Sequence, residues 1–178
     1  MSNTITSAVI GKLEQHAEFS DWWEHGPVAI PFFDNAQIPV TFSDYVPEED
    51  AQFMAEADAA LTNFLRLDAD YRLSISEHAW LNFADFADEV GVNGIPKKMR
   101  VLTDEKLIWK HIHPTKIYVT RRPYNEQDIY VQVACECDWE PEHGLQLVFR
   151  QGRKLTRVSN QDGHLTEADA WDKPDEED

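Results

Sequence analysis

The side chains best suited to chemistry are concentrated in residues 135–144, which read Cys-Glu-Cys-Asp-Trp-Glu-Pro-Glu-His-Gly. Cys135, Cys137 and His143 carry the thiolate and imidazole groups that zinc binds in tetrahedral sites. His164 could supply a fourth ligand from across a sheet. The spacing argues against zinc, because C-x-C followed by one histidine lacks the paired knuckles of common zinc motifs. On a strand, both cysteines would lie on the apolar face and behave as small hydrophobic residues. We therefore predict neither a metal nor another cofactor.

The same segment could support acid–base chemistry. Glu140 and Glu142 flank a turn, and His143 is a side chain type that titrates near neutral pH. A small hydrolase could use these three groups, together with His164 and with or without a metal. Such an enzyme also needs a group that stabilises the electrophile, and the sequence shows none. Gly144 favours the simpler interpretation, a hairpin loop whose carboxylates face water. The hydrolase remains the alternative function.

A second pair of candidate ligands, His111 and His113, lies just before Pro114. Two histidines at this spacing share one face of an extended segment, but no third ligand can be assigned. The other interpretation is the C-terminal end of a helix, where imidazole charge is favourable. The sequence contains neither a glycine-rich phosphate loop nor a G-x-S-x-G nucleophile elbow, which removes the commonest enzyme classes.

Composition excludes several partners. The 178 residues include 33 acidic and 16 basic side chains, a net charge of −17. This balance argues against nucleic acids and anionic membrane surfaces, which both select lysine and arginine. The longest apolar runs fall far short of the roughly 20 residues that a membrane helix needs. The first residues lack both the basic start and the apolar core of a secretory signal, so we expect a cytoplasmic protein.

The charge is spread unevenly. Residues 1–95 contain 17 acidic and 3 basic side chains, whereas residues 96–166 contain 9 and 12. Residues 167–178 contain 7 and 1. The acidic excess could serve solubility alone. It could also form a face that attracts a basic protein partner, or the basic segment could dock on the acidic ones within the chain.

The expected fold class is α+β, because helices and strands occur in separate runs. An N-terminal β-hairpin is predicted from alternating residues at 28–33 and 38–42, preceded by an irregular helix over residues 7–23. At about 150 residues per domain, residues 1–170 form a single domain, and residues 171–178 form an acidic, disordered tail.

Two amphipathic helices and a short third one are expected next. The first begins at Pro47 and carries its apolar stripe from Phe53 to Leu65. The second begins at a capping box of Ser74 and Glu77 and ends at Gly91. The third is capped by Thr103 and runs to Lys110.

Four strands then form an antiparallel meander, and the helices pack on it. The predicted strands cover residues 116–122, 128–138, 145–149 and 154–159. Six tryptophans in the chain also leave room for a homo-oligomer or a larger assembly, because tryptophan is enriched at interfaces.

The turn and strand at residues 137–149, with Asp-Gly-His-Leu-Thr at residues 162–166, form a distinctive pair of motifs. They resemble those of a bacterial family known only as a domain of unknown function, with a C-D-W-E-x-E-H-G-L turn and a downstream D-G-H-L-T. The resemblance is clearest over residues 107–171. It implies small cytoplasmic proteins and assigns no activity, and similar small acidic proteins occur as immunity partners of bacterial toxins.

The motif also needs a physical role, and we expect that role to be structural. Trp139 would cover the open end of the meander and Gly144 would end the hairpin loop, while His143 and Glu142 would satisfy the backbone groups of the loop. Asp162 and Gly163, with His164, would complete a hydrogen-bonded cluster with this turn. The leading functional hypothesis is a non-enzymatic module that binds a basic protein such as a toxin domain.

Overall fold

The computed structural model describes residues 3–175. Eight strands form one sheet, in which their spatial order follows their order in the chain. Neighbouring strands are antiparallel except for the central pair β4 and β5, which are parallel. The strands are β1 (Thr4–Ser7), β2 (Gly11–Gln15), β3 (Trp23–Ile30), β4 (Ala36–Phe42), β5 (Ile112–Arg121), β6 (Ile129–Cys137), β7 (Leu145–Arg150) and β8 (Lys154–Ser159).

A helical crossover separates the two halves of the sheet. It contains α1 (Phe53–Leu65), α2 (Ala69–Ser74), α3 (Ser76–Val90) and three 3₁₀ segments, the last at Glu105–His111. A tight turn reverses the direction of the chain and therefore joins antiparallel neighbours. Two parallel neighbours need a longer crossover, such as the helical one between β4 and β5. After β8, a short helix α4 (Glu167–Trp171) closes the described chain. None of the helices in residues 3–175 is long and apolar enough to cross a membrane.

The two faces of the sheet differ in chemistry because side chains alternate along each strand. The inner face packs against the helices, and Phe64 of α1 contacts Phe149 of β7 with 5.3 Å between ring centroids. The outer face carries polar side chains such as Thr120 and Gln132. A small second cluster, formed by Tyr130, Val148 and Leu165, lies apart from the main core.

The predicted fold class is confirmed in its coarse form. The hairpin of β3 and β4 matches the predicted one, and β5 to β8 form the expected antiparallel meander. The complete sheet is larger and of mixed direction, because β1 to β4 join the meander through the parallel pair. Helices and strands are segregated as predicted, with the crossover helices on one side of the sheet.

The irregular helix predicted over residues 7–23 is wrong. This region contains β1, β2 and the start of β3, and Leu13 is fully buried in the core. Asp58 of α1 fixes the first turn, since its carboxylate accepts hydrogen bonds from the Ser7 hydroxyl and the Ala8 backbone N–H. The contact spans about fifty residues of sequence, so a local pattern cannot reveal it.

The predicted helix starts are also wrong, whereas the end at Gly91 is confirmed. The first helix begins at Phe53, where the Asp50 carboxylate accepts the Phe53 N–H at 3.1 Å. Ser74 and Glu77 form no capping box, because Ser74 ends α2 and donates to a carbonyl of that helix.

Aspartates cap α2 and the 3₁₀ segment at Glu105–His111. The carboxylate of Asp68 accepts the Tyr71 N–H at 3.0 Å and starts α2. Asp104, not Thr103, caps the 3₁₀ segment through the Lys106 N–H at 2.9 Å. In each case an aspartate side chain satisfies an N–H that the first helical turn leaves unpaired.

The C-terminal end of the predicted domain lies near α4. Trp171 ends this helix with 66% of its surface exposed, so it does not pack into the core. Of the predicted acidic tail, residues 176–178 lie outside the described residues. The single domain and its tail remain predictions.

Gly152, in the turn between β7 and β8, allows the sheet to approach α1 closely. Its φ is +71°, a left-handed conformation that side chains other than glycine rarely adopt. A Cβ atom at this position would lie 1.9 Å from the Ala60 carbonyl oxygen. Both requirements must be met for the helix to cover the inner face of the meander.

We predict that Gly152→Ala lowers the free energy of unfolding by about 2–6 kcal/mol, since backbone strain adds to a clash with backbone atoms. The measurement is urea denaturation. Gly163→Ala is the control, because Gly163 has φ +80° but open space around the added Cβ. This control should lose only the cost of the left-handed conformation, about 1–3 kcal/mol. Equal losses in the two variants would contradict the close approach.

Candidate functional site

The turn between β6 and β7 contains most of the predicted site residues, and Trp139 anchors it. This indole is 1% exposed, packs edge-on against Phe83 and donates its N–H to the Asn82 side chain at 3.2 Å. Both contacts belong to α3. Trp139 therefore fastens the turn to the helical layer instead of facing a ligand.

Glu140 organises the backbone of this turn. Its carboxylate accepts the N–H groups of Glu142 at 3.0 Å and His143 at 3.2 Å, and the His143 Nδ1 lies 2.8 Å away. The Glu140 side chain is 8% exposed, whereas that of His143 is 65% exposed. Backbone satisfaction was expected from His143 and Glu142, and the structure gives this role to Glu140.

Gly144 closes the turn. Its φ is +63°, and a Cβ atom there would lie 2.6 Å from the Cys135 carbonyl oxygen. Gln161 holds the same carbonyl, because its side-chain amide donates to it at 2.7 Å. The Gln161 N–H also donates to the His143 carbonyl at 3.2 Å. Gln161, which directly precedes the second motif, thus fastens the turn of the first motif.

Both cysteines belong to the hydrophobic core. Cys135 is fully buried, and Cys137 is 4% exposed with its thiol 3.5 Å from the Glu140 carbonyl oxygen. Burial raises the pKa of the Cys137 thiol to about 11 and raises that of Cys135 further. Neutral thiols are poor metal ligands and poor nucleophiles. Across residues 3–175, no three histidine, cysteine or acidic side chains are grouped to hold a metal ion.

The histidine pair meets a partner that the sequence did not indicate, Asp138. Its carboxylate lies 2.8 Å from the His111 Nδ1, 2.9 Å from the His113 Nε2 and 2.7 Å from the Lys98 Nζ. Burial alone would raise the pKa of Asp138, but the hydrogen bonds from Lys98 and the histidines outweigh it and hold the pKa well below its usual range. This cluster joins the end of the crossover to β5 and β6.

The downstream motif forms a separate network around Gln146, which is fully buried. The Gln146 amide nitrogen lies 3.0 Å from both the Asp162 carboxylate and the His164 carbonyl oxygen. Asp162 also accepts the His164 N–H at 3.0 Å and pairs with Arg157. Gly163, at φ +80°, allows this tight turn. Asp162 and His164 therefore brace β7 and β8 and do not join the His143 cluster.

A cleft of about 1120 Å³ opens on the outer face of the sheet, away from the predicted site. Its lining comes from the turn that precedes β3, from residues 43–44 after β4, from β5, β6 and the loop between them, and from the C-terminal segment 161–175. His164 lines it, whereas Glu140, Glu142 and His143 do not. Other residues of the lining include Trp22, Asp44, Tyr118, Thr120, Arg121, Tyr124, Gln132, Ala134, Asp172 and Lys173.

Arg122 holds the C-terminal segment against this face. Its side chain is only 2% exposed, and its guanidinium pairs with Asp169 at 2.6 Å, Asp175 at 2.7 Å and also Glu126. The hydrogen bond to Asp169, followed by those to Asp175 and Glu126, raises the pKa of Arg122 above its usual value. One buried cation thus collects carboxylates from three places in the sequence.

Sequence reasoning missed the cleft because its side chains come from four distant segments. The one signal in the sequence was the basic character of residues 96–166. Docking of this segment on acidic parts of the chain was one interpretation of the uneven charge. Arg122 and Arg157 show that this docking occurs within the chain. Neither arginine lies in a motif that marks it for this role.

Together, these features define an α+β protein with a mixed sheet, a helical layer on one face and an open cleft on the other. The chain belongs to the family described as "Domain of unknown function (DUF6985)", which matches residues 9–165. The match extends well beyond residues 107–171, where the resemblance was clearest. No curated protein and no solved structure matches the chain.

We predict that Glu140→Ala lowers the melting temperature by several degrees. Removing the carboxylate leaves two backbone N–H groups without an acceptor, at a cost of about 1–3 kcal/mol. At this chain length about 1 kcal/mol shifts the midpoint by about 2–8 °C, which differential scanning calorimetry resolves.

Glu142→Ala is the matched control, because Glu142 lies in the same turn with its side chain exposed. Its stability should stay within about 0.5 kcal/mol of the wild type. If Glu140→Ala melts together with this control, Glu140 does not organise the turn.

Proposed function

We propose that this protein is a non-enzymatic binding module that uses an acidic surface to hold a basic protein. A cytoplasmic bacterial immunity protein that neutralises a basic toxin domain is the form of this function that we favour. The observation that carries the proposal is the distribution of charge after folding. The protein's own cations pair with selected carboxylates and leave other carboxylates grouped and exposed.

Ion pairing within the chain is selective. Lys116 pairs with Glu24, and Arg121 pairs with both Asp50 and Glu56. These contacts connect the basic segment to the acidic N-terminal half. They neutralise positive charges that would otherwise offset the negative charge of the surface. Among the described residues, the carboxylates that pair with no cation are therefore left on other parts of the surface.

The exposed side of α3 is the clearest such place. Glu77, Asp85, Asp88 and Glu89 are exposed, and none has an ion-pair partner among the described residues. Leu81, in the middle of this side, is 49% exposed. An apolar residue surrounded by carboxylates suits a protein interface, where a desolvated centre adds affinity and the charged rim steers a basic partner.

The hydrolase alternative has less support. The Glu140 carboxylate accepts backbone N–H groups of its own turn. The exposed Glu142 side chain forms no hydrogen bond with the His143 side chain among the described residues, and His164 lies in another network. Glu140, Glu142 and His143 do not line the cleft. Acid–base catalysis needs its groups around one substrate position, and these side chains are not arranged in this way.

The test is a pull-down from the source cell across a series of salt concentrations, with retained proteins identified by mass spectrometry. The wild-type bait should retain a protein of high isoelectric point at low salt and release it as salt rises, since screening weakens charge steering. The variant E77Q/D85N/D88N/E89Q should lose this protein.

The control bait E18Q/E48Q/E49Q/E142Q removes four exposed carboxylates that lie elsewhere, so its net charge is the same. It should still retain the partner. Absence of any basic protein at low salt with the wild-type bait would contradict the proposed function. Equal loss from both variants would show that net charge, and not the α3 surface, attracts the partner.

A further inference from the structure

We infer that the cleft on the outer face of the sheet binds an extended, arginine- or lysine-containing segment of the partner. The inference rests on the proposed function and assigns one site to it. At about 1120 Å³ the cleft exceeds the range of about 300–1,000 Å³ that is typical of small-molecule sites. It therefore has room for several residues of an extended chain.

The carboxylates at the cleft favour a cationic occupant. Asp172 has no ion-pair partner among residues 3–175, and Asp44 accepts a hydrogen bond from the Thr120 hydroxyl at 3.1 Å without meeting a cation. Arg121 also lines the cleft, but its charge is balanced by Asp50 and Glu56. Lys173 also lines the cleft, and its ammonium pairs with no carboxylate among the described residues.

Aromatic rings line the same cleft and are suited to cations. Trp22 and Tyr118 lie 5.7 Å apart, edge to face. The ammonium of Lys116 already lies 5.9 Å from the Trp22 ring and 5.4 Å from the Tyr118 ring, and Glu24 neutralises it at 3.1 Å. Tyr124 is 73% exposed and adds a third ring to the lining. Guanidinium groups stack on such rings and pair with nearby carboxylates.

The β8 edge of the sheet is less suitable for an extended segment. At one edge, β8 carries Lys154 and Arg157 and contains a bulge opposite Val148 and Phe149. Charged side chains and bulges are features that prevent edge strands from pairing with other chains. Recognition by side chains in the cleft therefore suits this fold better than the addition of a ninth strand at that edge.

The test uses the peptide acetyl-Gly-Arg-Gly-Arg-Gly-amide, titrated into the ¹⁵N-labelled full chain at low salt. Amide resonances of the cleft floor, at Thr120, Gln132 and Ala134, should shift. The same peptide with glutamine in place of arginine should not shift them.

Three variants locate the site. D44N/D172N should weaken binding about twofold to thirtyfold, which corresponds to the loss of two exposed ion pairs. Asparagine suits position 44 because Asp44 has a φ of +56°, which asparagine tolerates. Lys173→Gln should strengthen binding, because it removes a repelling charge. D70N/E142Q removes the same charge as D44N/D172N at exposed positions outside both the cleft and α3, and should leave the affinity unchanged.

The outcomes separate the two proposals. Equal weakening by the two double variants would overturn the cleft assignment while leaving the proposed function in place. No shift of the cleft resonances with the arginine peptide would also overturn it. The proposed function is decided by the pull-down, which does not depend on this peptide.

Discussion

A nearly unexposed guanidinium, that of Arg122, is the constraint on which the outer face of the sheet depends. A buried cation is costly unless carboxylates surround it, and Arg122 meets Asp169, Asp175 and Glu126. Two of these belong to the segment that follows β8, so neutralising the arginine requires that segment to lie on the sheet. The position of α4 and one part of the cleft lining follow from this requirement.

The same principle accounts for the charged surface. Positive side chains of residues 96–166 are used to attach acidic segments to the sheet, as Arg157 does with Asp162 and Glu167. In the folded protein these cations form internal ion pairs, whereas the α3 carboxylates have no cationic partner among the described residues. A chain with a net charge of −17 gains from this arrangement, since the pairs reduce repulsion where segments must approach.

Local patterns predicted the elements that depend on local physics. The alternation in β6 identified both its span and the inward direction of Cys135, and Gly91 marked the end of α3. The short strands β1 and β2 were not predicted, because the turn between them depends on the long-range contact of Asp58 with Ser7. The helix starts depended on which aspartate accepts which N–H, and several candidates lay within a few residues. For the motif turn, the sequence supplied the right residues but not their roles, because Glu140 and Gln161 are defined by backbone groups that come close only after folding.

Hydrogen–deuterium exchange of Arg122→Met tests the central claim most directly. If this guanidinium holds the C-terminal segment, amides of residues 164–175 should exchange faster than in the wild type, whereas those of the inner-face strands should keep most of their protection. Arg153→Met is the matched control, because Arg153 is exposed and its guanidinium donates to the Gln151 side chain in its own turn. Unchanged protection of residues 164–175 in Arg122→Met would contradict the account.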